Sequence, residues 1–114
     1  MMNQLACRPG DYRDFTGEIR FGGTHGFVKN ASFQLVRNDG RNGIIWHDGT
    51  WLDGTFDNGA WFGGDWNKGT WRFGVWKTGT WHDGTWVNGI WHGGEWLDGT
   101  WRHGVEMHRR NGKA

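Results

Sequence analysis

From Trp46 to Val105 the chain consists of twelve consecutive pentapeptides without an insertion. Position one is aromatic in all of them, Trp eleven times and Phe56 once, and position four is Gly in all of them, from Gly49 to Gly104. All eleven tryptophans of the protein share this phase. Such regularity means that every unit makes the same local structure and buries its apolar group against its neighbours. A five-residue period matches no helical stripe, and each interior Gly costs a helix about 1 kcal/mol relative to Ala. The repeat therefore predicts an all-β architecture of very short strands.

A longer period lies on top of the first. Residues 46–75 match 76–105 at 19 of 30 positions, as in Asn58-Gly59-Ala60-Trp61 and Asn88-Gly89-Ile90-Trp91. The simplest account is a tandem duplication of a six-pentad block. Two β arrangements fit. In an antiparallel hairpin meander, positions three and four form two-residue turns. Asp-Gly, Asn-Gly or Gly-Gly fills them in eight of twelve pentads, the preferred type I′ pairs. In a β-solenoid each pentad forms one side of a coil, with about four pentads per square turn. The 30-residue block favours the meander, because six strands restore strand direction.

Gly49-Thr50-Trp51 and its equivalents place a small residue two before a large inward one. In this the array resembles the pentapeptide-repeat family, whose inward Leu or Phe follows an inward Ala by two residues. That resemblance implies a square solenoid, although the chain lacks the family's Ala-(Asp/Asn)-Leu pattern. The recurring Trp-x-x-Gly is similar to the hairpins of MORN repeats, which are longer and rich in Tyr. Short Trp/Gly pentads also look like segments of bacteriophage proteins, a likeness that implies no chemistry.

Both arrangements put Trp46, Trp51, Phe56, Trp61, Trp66, Trp71, Trp76, Trp81, Trp86, Trp91, Trp96 and Trp101 on one side as a ladder. Position five is Thr in six pentads and position two is mixed, which suits a solvated face. Each buried Trp removes about 150–250 Å² from water, while a monomer rarely exposes an apolar patch above a few hundred Å². The ladder is thus expected to be covered, by the sheet itself, the N-terminal region or a second subunit. The competing reading is an exposed row of rings that grips a glycan.

Residues 1–45 form the expected N-terminal β cap, 46–105 the repeats, and 106–114 a basic tail. Phe15, Ile19 and Phe21 alternate, as do Phe33 and Leu35, with turns at Asn38-Asp39-Gly40 and Asn42-Gly43. Within this cap, Thr16-Gly17-Glu18-Ile19-Arg20-Phe21 and Gly26-Phe27-Val28 resemble the opening strands of a cold-shock domain, which implies base stacking on aromatic residues. Charge argues otherwise for the array: residues 46–105 carry four Lys/Arg against seven Asp/Glu, the wrong sign for phosphates.

No apolar run spans a bilayer, and MMNQLACRPGDYRD has no continuous apolar signal segment. The single Cys7 excludes an intrachain disulfide and suits a reducing compartment. The expected location is the cytoplasm or a virion assembled there. The six histidines show no metal-site spacing, and the aspartates share one turn setting that gives no means of splitting their pKa values. The sequence predicts no enzyme, no cofactor and no metal. It predicts a structural or protein-interaction module that self-associates or joins a larger assembly, with glycan binding or nucleic-acid binding through the cap as alternatives.

Overall fold

Each pentad makes its strand from position five and the aromatic residue that follows, and turns a corner over positions two to four. The computed structural model describes residues 5–107. Residues 1–4 lie outside it, as does the basic tail from residue 108 onward, His108 included. Three long strands come first: β1 (Gly10–Phe21), β2 (Thr24–Asn38) and β3 (Arg41–Phe56). After β4 (Gly59–Trp61) come nine strands of two residues. These are β5 (Asp65–Trp66), β6 (Thr70–Trp71), β7 (Val75–Trp76), β8 (Thr80–Trp81), β9 (Thr85–Trp86), β10 (Ile90–Trp91), β11 (Glu95–Trp96), β12 (Thr100–Trp101) and β13 (Val105–Glu106).

Strands in the array pair in parallel with the strand fifteen residues on: Trp46 with Trp61, Trp51 with Trp66, Phe56 with Trp71. The array is a β-solenoid of about four turns, each closed by three pentads. The carbonyl of each inward ring residue accepts from the position-two amide of the next coil, as in Phe62 N to Trp46 O at 2.7 Å. The position-four carbonyl accepts from the next position-five amide, as in Thr80 N to Gly64 O at 3.0 Å.

The antiparallel meander favoured by the 30-residue block therefore does not form, and the coil is triangular where the pentapeptide-repeat likeness implied a square. Thirty residues are two whole coils of fifteen, so the block restores side and direction together. The corner chemistry gives the reason that the strands do not reverse. A type I′ turn needs positive φ at both central residues. Here only the Gly of each pair has it, with φ between 100 and 145°, and none of the positive-φ non-Gly residues among those described belongs to the array. The preceding Asp or Asn instead accepts from the Gly amide through its side chain, at 2.8–2.9 Å for Asp48, Asp53, Asp83, Asn88 and Asp98. The chain bends around a corner and moves on to the next side.

The β1–β2 hairpin lies across the first coil. Strand β2 runs antiparallel to β3, from His25 opposite Thr55 to Asn38 opposite Arg41, and its register shifts three times as it follows the corners. At one corner Asn30 takes positive φ (51°), and its amide donates to Thr16 Oγ1 at 3.0 Å. Strand β1 covers β2 in the same way, and Ile19, Phe21, Val28, Ala31, Phe33 and Leu35 close the end of the core. Because β3 passes from cap into array without a break, the first coil inherits a paired edge in place of an exposed one.

Gly94 has φ of +108°, and a Cβ there would run into the carbonyl oxygen of Gly79 one coil below. Gly93 beside it has ordinary backbone, and its nearest such neighbour is Lys77 O at 3.8 Å. Gly94→Ala is expected to lower stability by about 1–3 kcal/mol, and Gly93→Ala by less than about 0.5 kcal/mol, measured by urea denaturation. Equal midpoints for the two variants would contradict the stacked-corner account.

Candidate functional site

The ladder residues face the interior of the triangle. Trp46, Trp51, Phe56, Trp61, Trp66, Trp71, Trp76, Trp81, Trp86 and Trp91 are fully buried, Trp96 is buried, and Trp101 in the last coil is partly buried. They form three columns: Trp46–Trp61–Trp76–Trp91, Trp51–Trp66–Trp81–Trp96 and Phe56–Trp71–Trp86–Trp101. Within a column the rings stack at 4.4–5.1 Å between centroids and within 8° of parallel. Between columns they meet edge to face at 5.7–6.3 Å. Both geometries are favoured by the ring quadrupole. Phe33 and Tyr12 continue the first column into the cap, at 5.7 and 5.1 Å. With these rings buried, a row of Trp rings open to a ligand is not what the solenoid presents.

Eight of the indole N–H groups are buried without a hydrogen-bond partner among the described residues, while Trp76 Nε1 donates to Gly93 O at 3.1 Å. The rings are therefore held by packing, and their polar edge contributes little.

The outward side chains decide what the surface can recognise, and the fifteen-residue coil sorts them into three unlike rows. On one face position five reads Ile45, Ala60, Val75, Ile90 and Val105, in continuous register. On the second it reads Thr50, Asp65, Thr80 and Glu95, and on the third Thr55, Thr70, Thr85 and Thr100. The apolar row grows more exposed away from the cap, reaching 36% at Ile90 and 53% at Val105. Beside it at the corner run His47, Phe62, Lys77, His92 and Met107, with Phe62 and Met107 exposed. At its cap end the row meets Gln34, which donates to Asp11 at 2.9 Å, so the apolar strip stops where the solenoid does. This face was missed at the sequence level, although a fifteen-residue spacing of Ile, Ala and Val in position five carries it.

The residues that carry the cold-shock likeness form the β1–β2 hairpin. Ile19, Phe21 and Val28 point into the core, Gly26 lies against the Trp51 ring, and Phe27 is exposed. Among the described residues no three His, Cys, Asp or Glu side chains gather as a metal site. His25 contacts Glu18, His82 lies 3.5 Å from Asp65, and His47 stacks on Phe62. Cys7 is free and exposed. No helix of the described residues is long and apolar enough to cross a membrane.

Comparison of the chain with protein-family models, curated proteins and solved structures finds no match in any of the three.

Burial of the indoles sets two expectations. Tryptophan emission in the native protein should be blue-shifted and poorly quenched by acrylamide, and a red, fully quenchable spectrum would contradict the columns. Trp76→Phe should cost about 1 kcal/mol more than Trp66→Phe, because only Trp76 gives up a hydrogen bond. Paired urea titrations measure that difference.

Proposed function

We propose that the chain is a non-catalytic structural module that assembles with a second copy of itself through the apolar face of the solenoid. The observation that carries this reading is the row Ile45–Ala60–Val75–Ile90–Val105, the one outward row of the array built from aliphatic side chains. Its spacing is set by parallel strand pairing at about 4.8 Å, and a second copy offers a row of the same pitch. A two-fold centred on Val75, with the solenoid axes antiparallel, sets Ala60 against Ile90 and Ile45 against Val105. The smallest side chain of the row thus meets one of the largest, and the same patch serves both copies.

The strip is roughly 19 Å by about 16 Å, on the order of 300 Å², from strand spacing and residue rise. A standard interface buries about 800 Å² per partner. The isolated contact is accordingly weak, and it gains strength when several copies are held together. That suits a small rigid part in a larger assembly, in the cytoplasm or in a virion, and agrees with the likeness to bacteriophage Trp/Gly pentads and to pentapeptide-repeat proteins. The non-catalytic reading rests on the corner aspartates, which repeat one local environment and so offer no acid and base of different strength.

Sedimentation velocity tests the proposal. The wild-type mass should rise with concentration from 13.1 kDa toward twice that value. Val75→Lys should stay monomeric with an unchanged circular dichroism spectrum. Added salt should strengthen the wild-type association, because the same two-fold brings Lys77 beside its own mate. A wild-type protein that remains monomeric at every concentration, or a Val75→Lys variant that associates equally well, rules the interface out.

A further inference from the structure

The β2–β3 ribbon projects beyond the first corner of the solenoid, with Arg37 opposite Asn42 and Asn38 opposite Arg41. Beneath it the first coil ends at the Asn58-Gly59 corner, where Ile44 N donates to Asn58 O at 3.0 Å. The crook between ribbon and corner holds a depression of about 520 Å³. A second depression of about 420 Å³ shares Arg41, Asn42 and Asn58 with the first and runs on to Phe73 in the second coil. The two form one shallow groove.

The geometry points to a binding site for a neutral saccharide in this groove. Its polar walls are the primary amides of Asn38, Asn42 and Asn58. A primary amide offers donors and an acceptor in one plane, which matches vicinal hydroxyl groups that each donate and accept. Phe73, 52% exposed, provides an apolar ring surface at the far end for the C–H face of a pyranose. The floor between the amides includes Gly43 and Gly59, so backbone can be approached closely there.

Charge selects against other ligands. Arg41 and Asp39 both line the groove and offset one another, and Asp57 is held by Arg72 at 3.4 Å. With Arg37 beside Asn42, these side chains sum to three cations against two anions, a single net positive charge, whereas a polyanion is held by several cations.

The walls are also fixed in advance. Arg37 Nε donates to Asn42 Oδ1 at 2.8 Å while its guanidinium lies 5.9 Å from the centre of the Phe21 ring. The Asp57 amide donates to Thr24 Oγ1 at 2.9 Å. The Gly22-Gly23 turn makes room for both side chains: a Cβ at Gly22 would collide with the Asn42 amide, and one at Gly23 with the Asp57 carboxylate. A preordered site loses less entropy when it binds. Because the groove is open and shallow, the expected dissociation constant is about millimolar.

Titration of the ¹⁵N-labelled 114-residue chain, followed by NMR, tests the assignment with three probes: cellotriose, N,N′,N″-triacetylchitotriose and a heparin-derived hexasaccharide. At least one neutral trisaccharide should give saturable shifts at the Asn38, Asn42 and Asn58 side-chain amides and the Gly43 and Gly59 backbone amides. Asn58→Ala and Phe73→Ala should each weaken that binding by about tenfold, while the near-ultraviolet spectrum of the buried tryptophans stays unchanged. Arg41→Ala serves as the third variant should Asn58→Ala disturb the corner. Absence of saturable shifts with both neutral sugars would overturn the proposal. So would shifts centred elsewhere, or tighter and salt-sensitive binding of the heparin fragment. The apolar face does not enter this readout, so failure of the groove and failure of self-association are distinguishable.

Discussion

The spacing of parallel β-strands and the stacking distance of aromatic rings coincide in this protein, and the rest of the structure depends on that coincidence. Strands pair about 4.7–4.9 Å apart. The rings in each column lie 4.4–5.1 Å apart, so the hydrogen-bond ladder and the ring stack advance by the same step. Neither has to stretch for the other. A leucine column would fill the axis but would not use the edge-to-face contacts by which three rings per layer close the triangle. The cross-section is therefore set by the size of an indole, and the short sides of the coil follow from it.

The second constraint comes from the corners. When coils stack at this pitch, each position-four residue from Gly64 onward sits directly over its counterpart one coil below, with positive φ and no space for a side chain, as Gly94 over Gly79 illustrates. Ring and glycine are thus tied to opposite ends of one requirement, a tight and repeated pitch. Eight buried indole N–H groups without a partner fit the same ranking of forces. Leaving a buried donor unsatisfied costs about 1–3 kcal/mol, and packing of the columns outweighs it. Phe56 shows the exchange directly: it lacks the N–H and stacks on Trp71 at 4.4 Å.

Much of this was legible in the sequence. The phase of Trp46 through Trp101, the invariant Gly49 to Gly104, the strand at position five and the inward direction of the rings all follow from the pentad alone. Solenoid and meander could not be separated by that pattern, because Asp-Gly and Asn-Gly serve a hairpin turn and a solenoid corner equally well. The 30-residue duplication misled, since an even number of strands and a whole number of coils both satisfy it. The informative spacing was fifteen, seen in Ile45, Ala60, Val75, Ile90 and Val105 and again in Thr55, Thr70, Thr85 and Thr100. The groove was beyond reach for a different reason. Asn38, Asn42, Asn58 and Phe73 belong to a turn, a strand start and two separate corners, and only closure of the coil brings them together.

Position two, position three and position five are free of both constraints, so variation there is where recognition can be written without cost to the core. The duplication acts unevenly on the two surfaces proposed above. Copying a 30-residue block adds two coils, and with them two more residues to the apolar row: Ala60 and Val75 in one block, Ile90 and Val105 in the other. The groove needs the β2–β3 ribbon and the Gly22-Gly23 turn, which lie outside the block and occur once. A longer array would thus enlarge the face in proportion to its coils while leaving one groove per chain. Apolar area grows with length but the cap does not, so array length sets how strongly copies associate, and the cap sets what each copy carries.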